Sequence, residues 1–144
     1  MKLCRLIYKS LASEEILDPE ELELLVDAAS DRNADSGITG MLVLTGNRFI
    51  QVLEGPSRFV NQLYSRIAND KRHSEIELIS FEPIDSTLFC DWTMKLMDLS
   101  QLPSQVHSLM LKKYSHSGNV INVPTNVITT LALLMDARNT GLEV

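Results

Sequence analysis

The pattern of apolar residues along the first third of the chain predicts a strand followed by a helix. The stretch from Leu3 to Lys9 is rich in branched and aromatic residues, which predicts a first strand. A helix follows, because Asp18 can cap its start and Pro19 suits its first position. The helix is predicted to run to about Asn33, since apolar residues then recur at helical spacing, at Leu22, Leu25, Val26 and Ala29.

The middle of the chain is predicted to form a β-hairpin followed by a second helix. Glycines at 37 and 40 end the first helix, and a strand from Met41 to Thr45 is joined by the Gly46-Asn47 turn to a strand from Arg48 to Glu54. A helix begins near Ser57, and its apolar face comprises Phe59, Val60, Leu63 and Ile67. After a polar loop at 70–73, two more strands are predicted, Ile76 to Ile84 and Trp92 to Asp98.

The element order predicts an α+β, ferredoxin-like fold, β-α-β-β-α-β-β, with two helices on one face of the sheet. The segment from Ser104 to His116 and a capped helix from about Thr125 to Arg138 are expected to cover the other face. We therefore expect one α+β domain at residues 1–98 and a C-terminal helical extension at 99–144.

Charge and composition narrow the classes of function and the location that the chain is expected to have. The net charge of −6 argues against direct nucleic-acid binding, which needs clustered Lys and Arg. No apolar run approaches the roughly 20 residues that span a bilayer, and the N-terminus lacks a signal-peptide core, so no membrane association and a cytoplasmic location are expected. Cys4 and Cys90 lie far apart without metal-ligand spacing and are expected to be free, half-buried strand residues.

We find no catalytic or metal-binding motif in the sequence. The histidines, at 73, 107 and 116, have no nucleophile beside them, and the glycines at 37 and 40 precede a strand rather than follow one. A ferredoxin-like enzyme of the acylphosphatase kind would need a phosphate loop that is missing here. The chain is therefore expected not to be an enzyme.

Gln51 is a polar residue at a core position of a central strand. It shares a sheet face with Phe49 and Leu53, because side chains alternate along a strand. A buried amide needs hydrogen-bond partners, and the hydroxyl of Tyr8 on the first strand is the candidate. The pair fits either a structural bond in an ordinary core or part of a ligand site.

Polar groups also end the apolar stripes of both helices. Arg32 and Asn33 continue the stripe of the first helix, and Arg66 and Asp70 flank Ile67 on the second. Two helices on one sheet face leave a groove, whose apolar walls would include Leu25 and Ile67. Such a groove suits a flat, apolar ring with polar edges, although each polar residue taken singly is equally compatible with a solvated helix end.

At this point the residues resemble a known family. The ordered set closely resembles BLUF domains over about residues 1–98; it consists of Tyr8, Arg32-Asn33 before Gly37-Ile38-Thr39-Gly40, Phe49-Ile50-Gln51-Val52-Leu53-Glu54-Gly55, Asp70-Lys71-Arg72-His73 and Trp92-Thr93-Met94. Many members carry a second Asn where this chain has Arg32, which is expected to change colour or recovery rate rather than flavin binding.

The resemblance implies a noncovalent flavin between the two helices, FAD or alternatively FMN. By this resemblance Asn33 and Arg32 would hydrogen-bond the polar edge of the ring, and Leu25 and Ile67 would sandwich it. Gln51 would bridge Tyr8 and the ring, with the ring or its ribityl chain also near Arg66, Asp70 and His73.

The implied activity is blue-light sensing. Tyr8 would donate an electron and a proton, and Gln51 would then rotate or tautomerise. Trp92 and Met94, expected to share a face of the last strand, would exchange places near the flavin. The short remainder of the chain resembles stand-alone members, so a separate effector protein and a homo-oligomer are the expected partners. A colourless small-molecule-binding or interaction module of the same fold is the alternative.

Overall fold

The computed structural model describes residues 2–114 and 120–142, which form one five-stranded sheet with helices on both faces. The β-α-β-β-α-β-β order predicted from the sequence is confirmed, and a short 3-10 turn at Leu99–Gln101 follows the last strand. The elements are β1 (Leu3–Ala12), α1 (Pro19–Ser36), β2 (Thr39–Thr45), β3 (Arg48–Pro56), α2 (Ser57–Ala68), β4 (His73–Ile84), β5 (Lys95–Asp98), α3 (Ser104–Tyr114) and α4 (Val127–Leu142).

The sheet places the two strands that carry Tyr8 and Gln51 side by side near its centre. Its strand order is β4-β1-β3-β2-β5, with β1, β2, β3 and β4 pairing in antiparallel fashion and β5 lying parallel to β2. Tyr8 and Gln51 are direct cross-strand partners, and Leu42 of β2 lies opposite Gln51 on its other side. Since directly paired residues point to the same face, the three side chains lie together under the helices.

Local chemistry sets the ends of α1. The Asp18 side chain accepts a hydrogen bond from the Glu21 backbone N–H at 3.2 Å, which satisfies one of the free donors of the first turn. Gly37 ends the helix with φ of 68°, in the left-handed region that only glycine enters without strain. The helix therefore continues through Ser36, three residues beyond the predicted end.

Two apolar clusters lie on opposite faces of the sheet. One packs beneath α1 and α2; its buried members include Cys4, Leu6, Tyr8, Leu42, Leu53, Val60, Leu63 and Met94. The other packs beneath the C-terminal helices and includes Ile7, Met41, Val43, Ile50, Phe89, Leu133, Leu134 and Ala137. The expected cover of the second face by C-terminal helices is thus confirmed, with α3 and α4 in that position. His116, at the end of the first predicted covering segment, lies outside the described residues.

The last strand is shorter than predicted. It begins at Lys95, and Trp92 and Met94 precede it. They do not share a face: Met94 packs in the cluster beneath α1 and α2, whereas Trp92 packs against the opposite cluster. Strand alternation fails here because Thr93 is bound to α1 through its carbonyl and its hydroxyl. Cys90 was also wrongly placed, since it is exposed and lies in the connection before β5, while Cys4 is buried in β1.

A buried ion pair ties that connection to the sheet. The Glu54 carboxylate on β3 is fully inaccessible and accepts from Arg5 Nε at 2.8 Å. It also accepts from the backbone N–H groups of Leu88 and Phe89, at 3.0 Å and 2.6 Å. The start of the β4–β5 connection is therefore held at the sheet by one charged side chain.

β4 forms one edge of the sheet. Among the described residues it pairs with β1 alone, and the register between the two shifts twice, between Ile7 and Tyr8 and between Lys9 and Leu11. Glu75 has φ of 50°, a left-handed conformation inside the strand. No helix within the described ranges is both long and apolar enough to cross a membrane.

Candidate functional site

The candidate site is a groove between α1, α2 and the sheet. Most residues predicted for the site line it, namely Tyr8, Leu25, Arg32, Gln51, Arg66, Ile67, Asp70, His73 and Met94. Asn33 lies buried just beside the lining, and Trp92 lies on the other face of the sheet. The structure therefore brings together residues from β1, α1, β3, α2 and the segments that follow α2 and precede β5.

Tyr8 and Gln51 form a buried hydrogen bond at the floor of the groove. The Tyr8 hydroxyl donates to Gln51 Oε1, and the two residues are 3% and 6% exposed. The Gln51 amino group points the other way and donates to Met94 Sδ at 3.6 Å. The predicted Tyr8–Gln51 bond is confirmed. Because a thioether sulfur is a weak acceptor, the amino end of Gln51 is held much less firmly than the carbonyl end.

The surroundings of Tyr8 keep its phenol neutral. Burial raises the pKa of the Tyr8 hydroxyl far above its usual range, and the nearby Tyr64 and Asp70 raise it further. The Tyr64 ring packs against Tyr8 with centroids 5.7 Å apart, and the His73 ring stands edge-on at 6.1 Å. A phenol in this setting cannot release its proton by simple ionisation at neutral pH.

Both ring nitrogens of His73 are hydrogen-bonded within the protein. Its Nε2 donates to the Ile67 carbonyl at 2.7 Å, and its Nδ1 pairs with the Ser10 hydroxyl at 2.8 Å. The ring thereby joins the end of α2 to β1. His73 lines the groove, while both of its nitrogens are already bonded within the protein.

Two buried polar atoms at the end of α1 have no hydrogen-bond partner within the described ranges, Arg32 Nε and Asn33 Oδ1. Asn33 is 1% exposed, and its Nδ2 donates to the Thr93 carbonyl at 2.8 Å. A buried polar atom without a partner costs about 1–3 kcal/mol, so a ligand that supplies one is favoured. One unpaired donor and one unpaired acceptor fit the alternating carbonyl and N–H groups along the edge of a flavin ring.

The mouth of the groove carries excess positive charge. Burial lowers the pKa of the Arg32 guanidinium, and the neighbouring Arg66 and Arg72 lower it further. Asp70 is bound to Arg72 through Nε at 2.9 Å, and this hydrogen bond holds the pKa of the Asp70 carboxyl below its usual value. Asp70 is thus paired to Arg72, whereas the ion pairs formed within residues 2–114 and 120–142 do not include Arg32 or Arg66.

The groove holds a cavity of about 90 Å³, less than the roughly 300 Å³ at the lower end of small-molecule pockets. Side chains at the mouth must therefore shift to admit a ring, and Arg32 and Arg66 are long enough to do so.

Several lining residues were missed by the sequence prediction: Val26, Ala29, Leu42, Phe49, Leu63 and Arg72. The apolar ones occupy the stripes of their helices and strands, and periodicity marks such residues as core without showing which of them border a cavity. Arg72 follows α2 in a turn, lines the groove and donates through its Nε to Asp70. Its place in the Asp70-Lys71-Arg72-His73 motif was the available signal.

Comparison with known proteins identifies the relatives of the chain. Residues 3–95 match the family model described as BLUF, sensors of blue light using FAD. Photoactivated adenylate cyclase subunit beta of Euglena gracilis is 35% identical over 123 residues, which cover 83% of this chain and 14% of that protein. The blue light- and temperature-regulated antirepressor BluF of Escherichia coli (strain K12) is 35% identical over 98 residues, covering 67% of this chain and 24% of that protein.

Solved structures of similar length share the whole fold. BlsA in its photo-activated state matches with a TM-score of 0.77 at 27% identity, covering 93% of this chain and 92% of BlsA. BlrB, described as a BLUF protein in its dark state, matches with a TM-score of 0.74 at 27% identity, covering 98% of this chain and 97% of BlrB. The chain thus spans a small part of the curated relatives and nearly all of these two structures.

Proposed function

Because the chain belongs to the BLUF family, we propose that it is a blue-light photoreceptor that holds a flavin noncovalently in the groove between α1 and α2. The observation that carries the proposal is the buried Tyr8–Gln51 hydrogen bond at the groove floor, with the free end of the amide facing Met94. An ordinary core does not need a rotatable amide at this point, whereas a light switch does.

The residues at the end of α1 and along α2 would hold the flavin. Asn33 Oδ1 and Arg32 Nε offer an acceptor and a donor to the polar edge of the ring, and Leu25 and Ile67 would pack against its two faces. Arg66 and Asp70 also line the groove, and by the family resemblance they would lie near the ring or the ribityl chain. When bound, the flavin would supply absorption of blue light and, once excited, a strong pull on electrons.

Tyr8 is the electron and proton donor in this scheme. Since burial prevents the phenol from ionising first, loss of an electron and loss of the proton must be coupled. The proton lies in the hydrogen bond to Gln51 Oε1, which is therefore its first acceptor. Return of the electron restores the phenol and its proton, so the cycle leaves no net oxidation.

Gln51 is suited to be the element with two stable positions. A tyrosine hydroxyl can donate to the amide oxygen or accept from the amide nitrogen, so the Tyr8–Gln51 bond survives a rotation of the amide. The rotation breaks only the weak contact between Nε2 and Met94 Sδ, 3.6 Å apart. After rotation the oxygen faces Met94, which offers it no donor, and this change would pass to the segment before β5.

Among the flavins, we propose FAD, with FMN as the alternative. The guanidinium groups of Arg32, Arg66 and Arg72 lie near one another at the mouth, with Asp70 among them. This excess positive charge favours a ligand that carries phosphate, which FAD and FMN both do. FAD is preferred because the matching family model is described as using FAD. Mass spectrometry of the cofactor released from purified protein separates the two, and release of riboflavin alone would contradict a role of these groups in phosphate binding.

The output is proposed to be non-enzymatic and cytoplasmic. Residues 1–98 would sense light, and the helical extension at 99–144 would contact a separate effector protein or a second copy of the chain, with no direct binding to nucleic acid or membrane. The net charge of −6 and exposed apolar side chains on the helices, Leu109 and Ile128, support such a protein contact. Light-dependent elution from a sizing column, alone and with candidate partners, tests it; identical elution throughout would contradict it.

The visible spectrum in darkness and after blue light tests the photoreceptor itself. We expect a flavin spectrum that moves slightly to the red on illumination and recovers in the dark. Tyr8→Phe and Gln51→Ala should keep the yellow colour and lose the shift, because each removes one side of the switching bond. Tyr64→Phe is the matched control, since Tyr64 packs on Tyr8 without bonding Gln51, and it should keep the shift. A protein that stays colourless with added flavin would instead be a colourless ferredoxin-like binding module.

A further inference from the structure

Met94 is a groove residue whose thioether contacts a polar group. Its side chain lines the groove, and its Sδ accepts from Gln51 Nε2 at 3.6 Å. Met97, three residues later, packs in the cluster beneath α3 and α4. The two methionines are buried to the same degree, at 7% and 6% exposure. They therefore form a matched pair, in which one sulfur borders a cavity and the other lies in a core.

The groove is wide enough to admit a small oxidant to Met94. Its cavity of about 90 Å³ is several times the roughly 10–15 Å³ that a water molecule needs. Hydrogen peroxide has only two oxygen atoms, so it fits without the shift at the mouth that a ring requires. The surroundings of Met97 are close-packed, since a Cβ added at Gly141 would stand 3.1 Å from Met97 Sδ. The structure thus offers peroxide a route to Met94 in particular.

Oxidation would change the hydrogen-bonding capacity of Met94. A lone pair of Sδ attacks one oxygen of the peroxide, the O–O bond breaks, and the second oxygen leaves as water with both hydrogens. The sulfur is oxidised by two electrons, the peroxide is reduced, and the product is methionine sulfoxide. A thioether is a weak acceptor, whereas the sulfoxide oxygen carries a partial negative charge and accepts strongly. Oxidation therefore places a strong acceptor where Gln51 Nε2 now has a weak one.

A sulfoxide at Met94 favours one orientation of the Gln51 amide. In the described orientation Tyr8 donates to Oε1, and Nε2 points at Met94, so both ends of the amide would be firmly bonded. In the rotated orientation Oε1 would face the sulfoxide oxygen, and two acceptors would meet without a proton between them. Such a contact is unfavourable in a buried site, where unpaired acceptors are costly.

We propose that Met94 is a site of oxidation by peroxide, and that its sulfoxide fixes the Gln51 amide in the described orientation and so removes the light response. The second half of the inference rests on the proposed photoreceptor function, whereas the oxidation site does not. A chain of this kind would respond to blue light only while Met94 stays reduced, and its output would depend on oxidant as well as on light.

Peptide mapping tests the oxidation site. The full chain, freed of flavin and kept in darkness, is treated with dilute hydrogen peroxide, and tandem mass spectrometry follows the oxygen added to each methionine. Met94 should be oxidised several times faster than Met97, although the two are equally buried. The partly buried Met135 provides the comparison for a more accessible thioether. Equal rates at Met94 and Met97 would overturn the inference, because the groove would then give no special access.

Two measurements test the effect on Gln51. After flavin is added, the oxidised chain should be yellow, and its red shift under blue light should fall in proportion to the fraction of Met94 that carries the sulfoxide. Without flavin or light, the side-chain amide protons of Gln51 should exchange with solvent more slowly after oxidation, as measured by NMR. Failure of the oxidised chain to bind flavin, or unchanged exchange at Gln51, would contradict a fixed amide.

Three variants separate Met94 from other oxidisable groups. Cys90 is an exposed free thiol, and Cys90→Ser should leave the effect of peroxide on the red shift unchanged. Met97→Leu should behave in the same way. In Met94→Leu, peroxide should change neither the red shift nor the Gln51 exchange rate from whatever values the untreated variant shows. A peroxide-induced change in Met94→Leu would assign the effect to another group.

The two proposals fail in different ways. An untreated wild-type chain that binds no flavin, or that shows no red shift, would remove the photoreceptor function, and the peptide map and the Gln51 exchange rate would still decide on Met94. A wild-type chain that keeps its full red shift when Met94 is completely oxidised would refute this inference and leave the photoreceptor function in place.

Discussion

Replacement of Arg5 by methionine tests the buried ion pair that anchors the β4–β5 connection. The Glu54 carboxylate has no exposed surface and accepts from Arg5 and from the N–H groups of Leu88 and Phe89. Arg5→Met fills a similar volume but leaves the negative charge with two neutral donors. Breaking a buried pair from one side costs about 3–5 kcal/mol, and we expect a loss of free energy of unfolding in that range.

The magnitude follows from the burial rather than from the bond length. Lys9, four residues further along β1, binds Glu77 at 3.3 Å, but the Glu77 side chain is 66% exposed. Water can therefore take over that bond, and Lys9→Met should cost less than about 1 kcal/mol. In the double variant Arg5→Met with Glu54→Gln, no charge is left buried and the carboxamide oxygen can still accept from Leu88 and Phe89. The double variant should be more stable than Arg5→Met alone.

Urea unfolding of the four proteins, followed by far-ultraviolet circular dichroism, measures these free energies. The decisive comparison is between the double variant and Arg5→Met. If Arg5→Met costs no more than Lys9→Met, or if adding Glu54→Gln lowers the stability further, the carboxylate does not depend on Arg5 for its charge balance and the reasoning is wrong.

Two further predictions concern packing and pH. An added Cβ at Gly40 would stand 2.2 Å from the Val52 carbonyl oxygen, a backbone atom held in the β2–β3 ladder, so Gly40→Ala should destabilise the protein by about 3 kcal/mol; a thermal melt at the wild-type temperature would contradict this. Burial, together with the hydrogen bond to Asp136, raises the pKa of Tyr114 to about 12. Because the folded pKa lies above the unfolded value of about 10, this contribution to stability is complete below pH 10 and is lost as the pH rises toward 12. Urea unfolding at pH 9 and pH 11 should show a smaller alkaline loss for Tyr114→Phe than for wild type, and equal losses would refute the assignment.

Structural features that depend on residues close together in one element, or in one pair of strands, could be predicted from the sequence. The start of α1 follows from Asp18 and Pro19, which act on the backbone within one turn. The burial of Gln51 follows from strand alternation, and its bond to Tyr8 requires only that β1 and β3 be adjacent. In these cases the physical cause lies within one element or one pair of strands, where periodicity is informative.

Structural features that depend on residues far apart in the chain could not be predicted from the sequence. The sequence around Trp92 and Met94 alternates like a strand, yet Asn33 binds the Thr93 carbonyl, and Glu54 binds the backbone at Leu88 and Phe89. These bonds come from parts of the chain more than thirty residues away. They replace the ladder that a regular strand would need, and β5 begins only at Lys95.

The same limit applies to predicting the groove from the sequence. Residue types and spacing identified its polar rim, but the unpaired state of Arg32 Nε and Asn33 Oδ1 depends on the packing of α1 against the residues before β5. The hydrogen bonds of the two His73 nitrogens to Ser10 and Ile67 likewise depend on the position of α2 over β1. Sequence patterns indicate which side chains gather, and only the fold shows which of their atoms remain free.

The irregular edge strand β4 bears on whether another chain can pair with the sheet. A long edge strand with exposed apolar side chains, here Leu78 and Phe81, offers a template on which another sheet can grow. Three exposed glutamates and one proline interrupt that template, namely Glu75, Glu77, Glu82 and Pro83, and the left-handed backbone at Glu75 bends it. The opposite edge, β5, has only four residues. Both margins of the sheet are thus poor templates for edge-to-edge pairing with another chain.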